Sequence, residues 1–182
     1  GSVVVMDCET GDLLCMASMP SFDPNSFSDG IGSVEYSMLR EDQRVPLRNK
    51  VLKGLYPPGS TVKPMHCMAF LKEGVQPTDT IVCGGGRRIG NRFFNCWSNH
   101  GVVDMAKAIY QSCDSYFYHF AQQVGFDKVA DMAKYLGMGQ EFQLPVTSQF
   151  YGTVPDPQWK FNKFGREWQS FDTVNASIGQ GY

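Results

Sequence analysis

No stretch of this chain is apolar over the roughly eighteen residues that a bilayer-spanning helix needs. No secretory leader precedes Gly1, so any membrane anchor is expected outside these residues. Charge of one sign is missing too. Lys and Arg number 16 against 18 Asp and Glu, a net charge of −2, which gives no electrostatic case for nucleic acid or for an anionic membrane surface. There is no internal repeat, no low-complexity run and no linker-like segment. What is there reads as globular: 182 residues, 42% hydrophobic and 13% aromatic, enough for one domain with a sizeable core.

Read in order, Ser2–Asp7 and Asp12–Ser18 are short β-branched and apolar runs around Cys8-Glu9-Thr10-Gly11, an antiparallel hairpin with glycine where the turn needs positive φ. Apolar residues on both faces predict a sheet covered by helices. Pro20–Gly32 reads as loop and Ser33–Arg40 as a short helix. Gln76–Gly101 reads as a long irregular excursion with a triple glycine, and such a stretch inside a compact domain asks for a function or a clamp. Helices follow over Val103–Gln111, Asp114–Val124 and Asp127–Leu136. The aromatics of the second (Tyr116, Phe117, Tyr118, Phe120) are expected in the core. Gln140–Gln169, with Pro145, Pro155 and Pro157, reads as loop.

The stretch that carries chemistry is Leu55-Tyr56-Pro57-Pro58-Gly59-Ser60-Thr61-Val62-Lys63-Pro64. The prolines bar helix before them and Gly59 permits a tight backbone approach. A helix over Thr61–Glu73, stopped by Gly74, puts Ser60 at its mouth. Side chains three apart share a face, so Lys63 can reach the Ser60 hydroxyl: a weak nucleophile beside a proton acceptor. The unpaired N–H groups of the helix start favour developing negative charge. A serine N-cap with a solvated lysine reads the same pattern without chemistry, and Ser-x-x-Lys alone does not choose. Ser112-Cys113-Asp114, at the corner between two expected helices, suits a hydroxyl that relays a proton, or a pair of helix caps.

Together these stretches resemble the transpeptidase domain of the class B penicillin-binding proteins, most closely their elongation-specific branch. The resemblance rests on Val3-Val4-Val5-Met6-Asp7 with Thr10-Gly11, Ala17-Ser18 with Pro20-Ser21-Phe22-Asp23-Pro24-Asn25, and Asp29-Gly30. It continues through Tyr56–Pro64, Ser112-Cys113-Asp114 with Tyr116-Phe117-Tyr118, and Gly179-Gln180-Gly181-Tyr182. It implies an α/β (α+β) fold of the penicillin-binding-protein and serine β-lactamase kind, with a helix cluster carrying Ser60 and Ser112 against a sheet represented by the N-terminal hairpin alone.

It also implies D,D-transpeptidation of peptidoglycan stem peptides, drawn from a lipid-linked precursor, in the periplasm by a protein anchored in the inner membrane. Ser60 would be the acylated nucleophile, Lys63 its base, Ser112 the proton relay to the leaving amine, and Asp114 the partner of Lys63 or substrate. β-Lactams would acylate the same serine, and membrane proteins of the elongation complex would be partners. The chain departs from the family's pattern in one respect: no Lys-Thr-Gly or Lys-Ser-Gly follows Ser112. These residues are therefore expected to be the N-terminal portion of the domain, lacking its later strands, with little activity alone. A serine β-lactamase and a non-catalytic zinc-stabilised interaction module are the rival readings.

Of six cysteines, three fall into a ligand-like pattern. Cys83, Cys96, His100 and Cys113 form Cys-x12-Cys-x3-His-x12-Cys, in which the close Cys-x3-His pair and two outlying thiolates could close a tetrahedral Zn2+ site. Such a site would clamp the glycine-rich excursion and pin the Ser112 corner. Some members of the elongation-specific branch are similar here. A Cys83–Cys96 disulfide and buried free thiols are the alternatives. Cys8, Cys15 and Cys67 are expected as small core residues, and His66 as a packed histidine.

Overall fold

A computed structural model describes residues 1–146 and 148–182; position 147, inside the stretch read as loop, lies outside the described residues. The chain forms two compact units.

The first unit takes residues Gly1–Leu55 and Glu141–Tyr151. Strands β1 (Ser2–Met6) and β2 (Leu13–Ser18) pair antiparallel, with Ser2 opposite Ser18 and a bulge between Val5 and Met6. The Asp7 carboxylate closes the turn by accepting from the Glu9 and Thr10 amides, and Gly11 takes φ +79°. Helix α1 (Ser33–Glu41) follows, then the one-turn helix α2 (Lys50–Lys53), which is capped by Asn49 and tied to β2 by the Ser18 hydroxyl. Both faces of the hairpin are exposed, with Val3 at 58% and Leu14 at 67%. Apart from the short α2, which touches both strands, the expected helical cover is absent among the described residues, and a two-stranded ribbon cannot bury both of its faces. For the same reason Cys8 and Cys15 are exposed rather than core residues; only Cys67 is buried as expected.

The second unit takes Tyr56–Gln140 and Gly152–Tyr182. A 3-10 turn, Gly59–Val62, leads into helix α3 (Lys63–Lys72). The excursion after it is not irregular. It contains β3 (Ile81–Cys83), β4 (Gly86–Ile89), β5 (Arg92–Asn95) and β6 (Gly101–Val103), paired β3–β6 and β4–β5 as two small antiparallel sheets. The fold's sheet is thus not the N-terminal hairpin alone. Gly86 cannot be replaced, since a Cβ there would lie 2.5 Å from the Phe94 carbonyl oxygen and the Phe93 ring.

Helices α4 (Met105–Tyr110), α5 (Asp114–Val124) and α6 (Phe126–Tyr135) lie within about a residue or two of expectation. Two more were not anticipated. Helix α7 (Pro157–Phe164) lies in the stretch read as loop, and α8 (Ser170–Ala176) follows it. Pro157 is a starter there and not a breaker: it occupies the first helical turn behind the Asp156 cap, where its missing N–H costs nothing. The core gathers on α3, α5 and α6, where Phe70, Tyr116, Phe117 and Phe120 form one aromatic cluster with centroids 4.5–6.0 Å apart. Removing such a ring costs about 3–5 kcal/mol.

Candidate active site and metal centre

The 3-10 turn and α3 present Ser60 and Lys63 very differently. Ser60 is exposed, whereas Lys63 is buried at 2% exposure. A buried ammonium needs partners, and Lys63 Nζ has three. It donates to Asp114 Oδ1 at 2.5 Å, Ser112 Oγ at 2.9 Å and the Ser112 carbonyl at 3.0 Å, and lies 5.2 Å from the centre of the Phe117 ring. Ser112 Oγ stands 3.0 Å from Ser60 Oγ, to which it donates. The four residues expected to carry chemistry therefore come together, with one difference from the expectation. Lysine meets the nucleophile through Ser112, because its ammonium is drawn down to the Asp114 carboxylate.

Ser112 can bridge because of its backbone. It adopts φ +50°, a left-handed conformation unfavourable to side chains with a Cβ. This sharp corner turns both its hydroxyl and its carbonyl toward Lys63. Neither Ser112 nor Asp114 is the cap of α5; that position belongs to Cys113, with no side-chain cap bond. Trp97 braces the corner, its indole N–H donating to the carbonyls of Gln111 (3.0 Å) and Ser112 (3.2 Å). The sequence offered no signal for Trp97, since the bond spans fourteen or fifteen positions.

Cys113 points away from this cleft, into the second cluster. The Sγ atoms of Cys83, Cys96 and Cys113 and a ring nitrogen of His100 all lie within 4.8 Å of one another. Cys83 ends β3, Cys96 follows β5, His100 precedes β6 and Cys113 begins α5. The His100 Nδ1 atom is 3.5 Å from both Cys83 Sγ and Cys96 Sγ. Tetrahedral zinc, with bonds of about 2.3 Å to sulfur and 2.0–2.1 Å to nitrogen, separates such ligands by about 3.6 Å. The His100 nitrogen that faces the thiols is Nδ1, while its Nε2 is buried without a hydrogen-bond partner. No disulfide joins these thiols among the described residues. Burial pushes Cys113 up to about 12. Burial also opposes ionisation of Cys83, but hydrogen bonds from Ser115 and His100 outweigh it and hold that thiol below its ordinary range. The residues fit a closed structural zinc site.

His66, one turn beyond Lys63, is buried with Nδ1 donating to the Ser177 carbonyl at 2.9 Å. Its burial, with Lys63 nearby, lowers its pKa from 6.5 to about 4 despite that bond, so the ring is neutral at physiological pH. His119, on α5, meets Arg87 at 2.9 Å.

Comparison with known proteins decides the ancestry of this site. The family described as penicillin binding protein transpeptidase domain matches residues 1–181. The chain belongs to that family. It is 39% identical over its whole length to the peptidoglycan D,D-transpeptidase MrdA of Acinetobacter baumannii, of which it spans 28%. The fold superposes with a TM-score of 0.96 and 38% identity on 42% of Pseudomonas aeruginosa PBP2, crystallised in complex with WCK 5153. It superposes with a TM-score of 0.94 and 34% identity on 34% of the Helicobacter pylori PBP2 chain solved in complex with MreC. The α/β penicillin-binding-protein fold and the resemblance to the PBP2 branch are thus borne out. The chain spans about a third of such proteins. Among the described residues no helix is long and apolar enough to cross a membrane.

Proposed function

We propose that this chain carries the nucleophile half of a peptidoglycan D,D-transpeptidase. The observation that carries the reading is the continuous polar path from exposed Ser60 through Ser112 to buried Lys63, ending on Asp114. Hydroxyl protons rotate. With Lys63 in its amine form, Ser60 passes its proton to Ser112 as Ser112 passes its own to Lys63. Ser60 Oγ attacks the carbonyl of the penultimate D-alanine of a stem peptide. The ester forms, the peptide bond breaks, and the stored proton passes from Lys63 through Ser112 to the departing D-alanine amine. A second stem-peptide amine then attacks the ester and gives up a proton to the Ser112–Lys63 relay; the cross-link forms, the ester bond breaks, and Ser60 Oγ takes a proton back from the relay. The Ser60 N–H, at the positive end of the turn leading into α3, is one oxyanion donor. Asp114 keeps the lysine aimed at Ser112.

The substrate is the stem peptide of a lipid-linked peptidoglycan precursor, β-lactams acylate the same serine, and the reaction runs in the periplasm in a protein anchored to the inner membrane. Membrane proteins of the elongation complex are the proposed partners. No Lys-Thr-Gly occurs in the 182 residues, so the activity proposed is that of the longer protein. Zn2+ on Cys83, Cys96, His100 and Cys113 would cross-link the two small sheets to the start of α5 and so fix the Ser112 corner. It supplies structure and no chemistry. Labelling the full-length protein with a fluorescent penicillin tests the reading. One equivalent should bind, and Ser60→Ala should abolish it; labelling that survives Ser60→Ala sinks the proposal. Sustained turnover of a chromogenic β-lactam would favour the β-lactamase reading instead.

A further inference from the structure

The chemistry described above leaves unused a segment that touches the nucleophile's element from behind. Ser177 caps the end of helix α8, and helix ends leave carbonyls without intrahelical partners. The carbonyl of Ser177 and that of Gly179, two residues further on, are satisfied by the element that carries Ser60 and Lys63. The Gly59 amide, next to the nucleophile, donates to the Gly179 carbonyl at 3.0 Å. His66 Nδ1, one turn beyond Lys63, donates to the Ser177 carbonyl at 2.9 Å. The span 59–66 is thus held at both ends by carbonyls only two residues apart.

The approach is too close for any side chain. A Cβ on Gly179 would lie 2.3 Å from the Gly59 carbonyl oxygen and 2.7 Å from its amide nitrogen, and Gly179 takes φ +69°. The segment is itself anchored. Asp172 on α8 is 2% exposed, and both of its carboxylate oxygens accept hydrogen bonds. Its Oδ2 accepts from Lys160 Nζ at 2.6 Å and the Gln169 amide at 2.7 Å, and its Oδ1 accepts from the Tyr182 hydroxyl at 2.6 Å. Ser177 is fully buried, its hydroxyl donating to the Val174 carbonyl.

We propose that the Ser177 and Gly179 carbonyls, anchored through Asp172, are a two-point clamp that sets the position of Ser60 for acylation, making His66 and Gly179 positioning residues. The clamp rests on the acyl-transfer reading, and it gives a buried neutral histidine a task other than proton transfer. The Ser60–Ser112 contact is 3.0 Å long, and a displacement of about 1 Å at a reacting group can cost about a hundredfold in rate.

The test measures acylation of the full-length protein by a reporter penicillin over a concentration range, separating the acylation rate constant from the dissociation constant of the pre-covalent complex. Rates are normalised to the chains finally labelled, which removes losses due to misfolding. His66→Leu and Gly179→Ala should slow acylation about tenfold to a hundredfold and leave the dissociation constant unchanged. His66→Asn, whose amide N–H occupies the place of Nδ1–H, should recover most of the rate. If Gly179→Ala does not fold, the His66 pair decides. Wild-type acylation in His66→Leu, or His66→Asn as slow as His66→Leu, overturns the clamp while the acyl-transfer reading stands. A wild-type protein that is not labelled removes that reading, and the clamp with it.

Discussion

Two lysine–aspartate pairs lie buried in the second unit, alike in chemistry and unlike in surroundings. Lys63 and Asp114 meet at 2.5 Å with side-chain exposures of 2% and 17%; Lys160 and Asp172 meet at 2.6 Å with 7% and 3%. The second pair is closed. Its carboxylate also accepts from a backbone amide and a phenol, and Lys160 lies 5.3 Å from the centre of the Phe171 ring. The first pair is open at one end, where the ammonium also meets a hydroxyl that leads to an exposed serine. Burial makes both pairs costly to break, because the partner left behind is an uncompensated charge. Only the one with an outlet to solvent can move a proton into a substrate. A buried ion pair is thus assigned its task by what else its atoms touch.

Cutting each pair in turn would sharpen this contrast most. Lys63→Met should lower penicillin acylation by about a thousandfold, while Lys160→Met, normalised to labelled protein, should acylate at a rate within about tenfold of wild type. Equal losses in both variants would erase the distinction. Stability should run the other way for the closed pair: Asp172→Asn should cost about 3 kcal/mol, read as a drop in Tm.

The metal centre gives the next effect. Full-length protein should hold one zinc by elemental analysis, and Cys113→Ser or a strong chelator should remove it with a fall in Tm and slower acylation, since Cys113 links the centre to Ser112. Metal-free, fully folded protein contradicts the assignment.

A pH profile distinguishes His66 from the carboxylates. Its folded pKa of about 4 lies below the ordinary 6.5, so the unfolded chain binds the proton first and stability falls as pH drops through that window. The contribution is about 3 kcal/mol, fully present above the unfolded value. Burial beside Arg87 lowers His119 in the same direction. The part of the slope removed by His66→Asn therefore measures His66 alone. Asp172 titrates lower still: burial opposes its ionisation, but Lys160, Tyr182 and the Gln169 amide outweigh it, so its contribution is lost only in stronger acid. The smallest effect belongs to Tyr182→Phe, which removes one hydrogen bond from Asp172 and should cost about 1–2 kcal/mol with little change in acylation.

The same contrast explains what could be read before any coordinates. Ser60, Lys63 and the hairpin were legible because turn chemistry and helix spacing are local. Pro57-Pro58-Gly59 announces a turn, and Ser60 and Lys63 sit three apart. The cysteine–histidine cluster was legible from spacing because Cys96 and His100 are four apart, with Cys83 and Cys113 as outlying thiols on either side. The closed pair was not legible, since Lys160 lay in a stretch whose prolines suggested loop and nothing links it in sequence to Asp172. Strands of three or four residues such as β3 and β6 are too short to show a period. The role of Ser112 as bridge depended on a positive φ that no propensity predicts for serine.

Mass-spectrometric mapping of the adduct formed by benzylpenicillin on the full-length protein tests the central claim most directly, with Ser112→Ala run in parallel. The account predicts a single acyl adduct on Ser60, formed about a hundredfold more slowly without the Ser112 hydroxyl. An adduct on any other residue, or an unchanged rate in Ser112→Ala, would contradict it.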